Sequence, residues 1–409
     1  MDTLIERCAG LDVHKDTVVA CVRVPARGGG REQSIQTFGT TTAQLLALRD
    51  WLVAQGVTRV GMESTGVYWK PVYYVLEDAL ECWLLNARHL RNVPGRKTDV
   101  ADAAWICQLV EHGLVRPSFV PPKPIRELRN LTRYRKAQIE ERTREAQRLD
   151  KVLQDAGIKL SSVASDVLGV SGRAMLEALV HGTTDPEVLA DLARGRLRKK
   201  LPALRQALAG RFRPHHAFLV SQLLAHVDYL EEAISMVSEE VEGRLAPFTQ
   251  HLMQLDTIRG IDKRTAEVLI AELGVDMSCF PCDRHLASWA ALCPGNNESA
   301  GKHRSGKTRR GNRWLRTALV EAAWAAVRVK DSALGARYRR VMRHRGHKKA
   351  VVAVAHAMLR AVYHLLAEGT TYREPGADYY DRRHAERVRR RAIQLLERQG
   401  YRVVLEPAA

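Results

Sequence analysis

Alternating apolar and polar residues over 9–24 (AGLDVHKDTVVACVRV) predict a β-strand. QSIQTFGT (33–40) predicts a second strand after the glycine turn at 28–30, so an antiparallel hairpin opens the chain. The period then changes. Leu45, Leu48 and Leu52 recur at helical spacing within 41–55, VTRVGME (57–63) is extended, WKPVYYVLEDAL (69–80) is helical and ECWLLN (81–86) is extended again. Antiparallel strands followed by alternating helices and strands predict a mixed α/β layer of about 120 residues, consistent with an RNase H-like topology.

PSFVPPKP (117–124) holds four of the 15 prolines and cannot lie inside a helix or a central strand, so it marks a boundary. Beyond it Ile139, Arg142, Ala146, Leu149, Leu153 and Ala156 fall at alternating three- and four-residue steps, the spacing of a long amphipathic or coiled-coil helix. His216 to Glu242 is a second long helical stretch. A short seam containing Arg142 is compatible both with antiparallel packing inside one chain and with dimerisation. From about 255 to 368 the chain is helical again, interrupted by a glycine-rich basic stretch at 295–312, and RRHAERVRRRAIQLLERQ (382–399) predicts one basic helix. The resulting division is 1–120, 121–248, 249–368 and a basic helical tail at 369–409.

Composition narrows the partners. With 45% hydrophobic and 27% charged residues the chain reads as an ordinary globular protein, and 64 Lys and Arg against 46 Asp and Glu leave a net charge of +18. A polyanion is the expected partner. No apolar run is expected to approach the roughly 18–20 residues of a bilayer span, since stretches such as 315–329 are broken by Arg316, Glu321 and Arg328. The acidic start MDTLIERCAG carries no apolar leader, and seven cysteines without a dense framework fit reduced thiols. The expected location is the cytoplasm, with no membrane partner.

Asp12 lies within the first apolar strand, flanked by Leu11 and Val13, where an acid costs stability unless its charge is compensated. Glu63 ends the strand VGME, at the kind of strand end where α/β sheets place sites. Asp99 and Asp102, three apart in KTDVADA, share one face of a helix start. Four carboxylates supply bridging and terminal oxygens for two divalent ions about 3.5–4 Å apart, and hard carboxylate ligands select Mg²⁺ or Mn²⁺ for in-line phosphodiester chemistry. Individually each acid has an ordinary use: a lysine partner for Asp12, a helix cap for Glu63 or Asp99, a solvated position for Asp102. His14 and Lys15 suit a structural or phosphate contact better than a hard-metal ligand.

LDTIRGIDKRTAEVLIAELG (255–274) reads as a helix-hairpin-helix around Gly260, whose turn amides can face a phosphate or simply join two helices. Asp262 stands where glycine is frequent and weakens phosphate binding there. In PGNNESAGKHRSGKTRRGNRWLR (294–316) seven cations, Lys302, Arg304, Lys307, Arg309, Arg310, Arg313 and Arg316, follow Glu298 without another acid. This is a candidate nucleic-acid cradle, with Ser299 and Ser305 as its hydroxyls and Trp314 either stacking on a base or packing inside. RYRRVMRHRGHKK (337–349) adds seven more cations. Cys279, Cys282, His285 and Cys293 only superficially offer a zinc set, because an amphipathic helix separates them and no second CxxC follows.

GLDVHKDT, ESTGVYW, KTDVADA, IRGIDKRTA and ESAGKHRSGKTRRGNRWLR, in this order, resemble the insertion-sequence-110 transposase family over most of 8–365. The resemblance implies a Holliday-resolvase-type RNase H-like domain with a DEDD tetrad on Asp12, Glu63, Asp99 and Asp102, a coiled-coil spacer, and a transposase domain bearing a nucleophilic serine. That serine matches Ser299 in SAGK, with Ser305 the weaker candidate; Ala300 replaces the usual glycine. It further implies covalent phosphoserine linkages, acids of one protomer meeting the serine of another in a dimer or tetramer, and a non-coding guide RNA pairing with donor and target DNA. The implied function is Mg²⁺-dependent DNA recombination. Alternatives are a metal nuclease or junction resolvase without a serine intermediate, a non-catalytic nucleic-acid scaffold, and an actin-like kinase, for which no further glycine-rich phosphate loop appears before Pro117.

Overall fold

The computed structural model describes residues 3–64, 66–86, 99–295, 297–299, 301–309 and 311–404; side chains at 64, 99–101, 297–299 and 303–305 fall outside that description. Two compact units, Met1–Val120 and Pro121–Ala409, divide the chain.

The first unit begins with β1 (Cys8–Val13), β2 (Thr17–Pro25) and β3 (Arg31–Gly39). The stretch 9–24, expected as one strand, is therefore two. Three consecutive polar residues, His14, Lys15 and Asp16, interrupt the apolar alternation, and the His14 amide donates to the Thr17 carbonyl at 2.9 Å to close the turn. Next come α1 (Thr42–Ala54), β4 (Arg59–Ser64), α2 (Trp69–Leu76), β5 (Glu81–Leu84) and α3 (Asp99–Glu111). The sheet order is β3-β2-β1-β4-β5; β1, β2 and β3 pair antiparallel, whereas β4 runs parallel to both β1 and β5. This mixed sheet is consistent with RNase H-like architecture.

Side-chain alternation sends Ala9, Leu11, Val13, Val60 and Met62 to one face, where they bury Leu45, Leu48 and Leu52 of α1 with Val72 and Leu76 of α2. Cys8, Val19 and Cys21 point the other way and meet Ala103, Ile106, Cys107 and Val110 of α3. A fully buried side chain of this size contributes about 1.5–3 kcal/mol, so each face is held by several strong contacts.

The second unit is helical. α4 (Lys123–Asp155) leads into four short helices, α5 (Leu160–Val163), α6 (Val170–Val180), α7 (Pro186–Asp191) and α8 (Leu201–Leu208), and then α9 (Pro214–Leu245). α4 and α9 pair antiparallel within one chain, with Glu127 on Arg244 at 2.7 Å, Arg142 on Glu231 at 2.7 Å and Asp155 on His216 at 2.9 Å. Leu149, Leu153 and Ala156 are buried there, together with leucines of α5–α8. Ile139, expected in the same seam, is 39% exposed.

The rest comprises α10 (Thr249–Asp256), α11 (Lys263–Leu273), α12 (Asp283–Trp289), β6 (Asn297–Ser299), β7 (Lys302–Ser305), α13 (Arg313–Ala326), α14 (Ala333–Arg345), α15 (His347–Glu368) and α16 (Tyr379–Arg398). By length and composition α15 is apolar enough to cross a membrane, contrary to the expectation that no such run exists. Between Ala350 and Ala367 its only Asp, Glu, Lys or Arg is Arg360. Here Val351, Val354, Met358, Leu359 and Val362 are buried and the helix packs on α10, α12, α13 and α14, the situation of a core helix.

Candidate active site

The parallel pairing of β1 with β4 aligns Cys8 with Arg59, Gly10 with Gly61 and Asp12 with Glu63. Directly aligned residues on neighbouring strands lie about 4.8 Å apart and project to the same face. Both carboxylates therefore leave the carboxyl ends of adjacent strands, on the face covered by α3. Both are partly buried, the Asp12 side chain 13% exposed. His14 lies against the first, its Nε2 3.1 Å from Asp12 Oδ2.

Two residues earlier on these strands, glycine permits close approach of α3. A Cβ on Gly10 would lie 2.3 Å from the Ala103 carbonyl oxygen and 2.3 Å from the Cys107 amide; one on Gly61 would lie 2.4 Å from Val110 Cγ2. The direction of α3 follows from its far end: the Cys107 thiol donates to the Cys8 carbonyl at 3.4 Å, and the Leu4 and Ile5 amides donate to the Glu111 carbonyl. α3 thus runs antiparallel to β1. Its first turn, with Asp102 just before Ala103, lies toward the end of the sheet that bears Asp12 and Glu63. Asp99 begins the same helix, and its side chain is outside the described residues.

In the second unit the basic stretch, expected as a glycine-rich loop, forms a small antiparallel hairpin. Ser299 aligns with Lys302 and Asn297 with Ser305, and Pro294 bridges to Thr308. Gly301 adopts φ +73°, so this residue supplies the left-handed turn at the tip. Ser299 therefore stands beside the tip and Ser305 at the base. Their side chains, those of Arg304, and all of Ala300 and Arg310 lie outside the described residues. Lys302 and Lys307 are exposed, while Arg309 and Arg316 brace the hairpin: Arg309 Nη2 donates to Ser288 Oγ and Arg316 Nη1 to Thr308 Oγ1, each at 2.8 Å.

The chain leaves this hairpin through Asn312, whose Oδ1 accepts the Trp314 and Leu315 amides at 3.1 Å and caps α13. Its Nδ2 donates to Glu272 Oε2 at 2.6 Å; Glu272, fully buried on α11, also takes Arg133 at 2.7 and 2.8 Å. Sequence reasoning missed Glu272 and the equally buried Glu267, which accepts from Arg135 at 2.6 Å. Their available signal was an acid beside Leu269, Ile270 and Leu273 on a helix face that must be buried. Trp314 is half-buried, with Arg313 at 4.5 Å and Arg133 at 5.8 Å from its ring.

α10 and α11 form the expected helix pair. Gly260, at φ +89°, faces the α13 backbone so closely that a Cβ would lie 2.5 Å from the Ala322 carbonyl oxygen. Asp262 Oδ1 accepts the Thr265 amide at 2.8 Å and caps α11, placing a carboxylate where a phosphate would approach.

Asp155, His215 and His216 bring one ligand atom each within 4.8 Å and could hold a divalent metal; the Cys279–Cys293 set does not gather in this way among the described residues. His216 is already committed, however. Its Nδ1 accepts the Arg213 amide at 3.0 Å, which leaves Nε2–H to donate to Asp155 at 2.9 Å. A metal would have to displace one of these bonds.

Comparison with known proteins defines the class of this enzyme as a transposase. Residues 9–158 match the IS110 DEDD transposase model, and residues 253–339 match the transposase model of the IS116/IS110/IS902 family. The chain belongs to the IS110 transposase family. It is 27% identical over 290 residues to a Pseudomonas aeruginosa protein named "Probable family 20 transposase", covering 69% of this chain and 76% of that one. It is 31% identical over 119 residues to the IS110 insertion-element 43.6 kDa protein of Streptomyces coelicolor, 29% of each chain. To the y4pF/y4sB protein of Sinorhizobium fredii it is 26% identical over 287 residues, 68% of this chain and 64% of the relative.

Proposed function

We propose that this transposase cuts and rejoins DNA through Asp12, Glu63, Asp99 and Asp102 acting with Ser299, and that a non-coding RNA of its element guides it to donor and target DNA. The observation that carries the reading is the alignment of Asp12 with Glu63 at the strand ends beneath the first turn of α3. An all-oxygen donor set of this kind fits Mg²⁺ or Mn²⁺. When bound, the ions neutralise phosphate charge and lower the pKa of the attacking hydroxyl.

Ser299 Oγ attacks the phosphorus, losing its proton, and displaces one deoxyribose oxygen. The phosphate passes to serine and a sugar hydroxyl is freed. Attack by a sugar hydroxyl of the second strand reverses this step, restoring the serine and a continuous backbone. Lys302, Arg304, Lys307, Arg309, Arg310, Arg313 and Arg316 orient the phosphates, while Gly260 brings the helix pair against α13 and so supports the same surface. Residues 1–120 form the catalytic domain, 121–248 the spacer, 249–368 the serine-bearing domain and 369–409 a basic tail. A dimer or tetramer lets acids and serine of different protomers meet, in the cytoplasm at the nucleoid.

Ser299→Ala tests this reading. Loss of strand exchange with retained DNA and RNA binding supports it; exchange at the wild-type rate would leave a metal nuclease or resolvase.

A further inference from the structure

The basic tail helix is not merely solvated. α16 buries none of its side chains, so apolar packing does not hold it. It nevertheless lies along α14, with Arg337 of α14 over the Tyr380 ring at 5.7 Å and Arg340 Nη1 donating to the Tyr380 carbonyl at 3.5 Å. Between them runs a cleft of about 590 Å³. Arg340 and His344 line it from α14, and Tyr380, Arg383, His384 and Arg387 from α16; no acid contributes to its wall. Residues 380, 383, 384 and 387 recur at helical spacing, so α16 turns one continuous cationic and aromatic stripe toward a helix that is itself acid-free.

Two positive faces held together across a concave gap repel one another. The one salt bridge linking the two helices among the described residues, Arg340 to Asp381 at 3.8 Å, is long and exposed. The arrangement is electrostatically complete only when an anion fills the gap. Guanidinium groups interleaved with rings suit a strand whose phosphates track the cations and whose bases stack, and a gap between adjacent helices is too narrow to admit a duplex.

We propose that the α14–α16 cleft binds a single-stranded segment of nucleic acid through its phosphodiester backbone. This goes beyond the strand-exchange reading: the site is remote in sequence from the acids and from Ser299, and its readout is binding, so it can stand or fall separately.

The test uses the full chain, its double variant Arg383→Gln/Arg387→Gln, and the control Arg382→Gln/Arg389→Gln on the opposite side of α16. Binding of oligothymidylate, oligouridylate and a duplex is measured against salt. Because α16 buries no side chain, both variants should melt as the wild type does. The cleft variant should bind the single strand about tenfold more weakly, its log K against log[salt] slope shallower by about 1.4 (about 0.7 per phosphate contact), while the control moves far less. A loss on oligouridylate alone assigns the strand to RNA, and on oligothymidylate alone to DNA; either upholds the cleft. An unchanged slope, an equal loss in the control, or a loss confined to the duplex would overturn it.

Discussion

Asp12 and Glu63 are direct neighbours across parallel strands, and the glycine pair two residues before them, Gly10 and Gly61, lies against α3. The same alignment that pairs the acids thus also seats the helix that carries Asp99 and Asp102. Removing either strand acid should cost several kcal/mol of transition-state stabilisation, about a thousandfold or more in rate. For Asp12→Asn and Glu63→Gln we expect strand exchange to vanish while RNA and DNA binding persist. Mg²⁺ should raise the melting temperature of the wild type but not of these variants; wild-type recombination in both would remove the assignment.

Gly10→Ala should act through packing. Its Cβ would lie 2.3 Å from α3 backbone atoms, which cannot yield as a flexible side chain would. Overpacking of this kind costs about 3 kcal/mol. Thermal unfolding should show the loss, and strand exchange should fall with it because the first turn of α3 is displaced. A Gly10→Ala protein as stable as wild type would contradict the close approach.

Much of the first unit was legible because an acid inside an apolar strand is anomalous and strand ends are natural sites. The turn at His14–Asp16 was missed since every residue from Val18 to Val22 is apolar, which hides the change of phase that puts Val13 and Val18 on one face. The hairpin Asn297–Ser305 was illegible for another reason: its strands are three and four residues long and carry no apolar alternation. Helices α5 and α7, four and six residues long, are too short to show a helical period. α15 was misjudged because a core helix enclosed on several sides has the composition of a membrane span.

Glu272 is predicted to be a positioning residue for the serine-bearing hairpin. Truncation to alanine would leave Arg133 without its bidentate partner and Asn312 without its acceptor, at about 3 kcal/mol for a broken buried pair. Glu272→Ala should lower the unfolding midpoint and slow strand exchange. The more conservative Glu272→Gln should recover part of both, measured by denaturant unfolding and a recombination assay. Unaltered stability in Glu272→Ala would contradict the role.

A pH dependence follows from Asp283, buried where α12 meets α15. Burial alone would push its carboxyl up, but the Arg360 guanidinium and the His364 ring beside it hold it below the ordinary carboxylate value. A depressed folded-state pKa gives stability that is present above the unfolded value of about 3.9 and is lost as pH falls through the folded value. Asp283→Asn should therefore melt earlier than wild type at neutral pH, and the two should converge in acid. A difference that stays constant down to the most acidic pH tolerated would contradict this.

Mass spectrometry of the protein–DNA adduct trapped during recombination with guide RNA and Mg²⁺ will show whether Ser299 receives the DNA phosphate under the control of the four acids. The expected result is a nucleotide-bearing peptide modified at Ser299, absent in Ser299→Ala and in Asp12→Asn. Strand exchange without any adduct, or with the adduct on another residue, would contradict it.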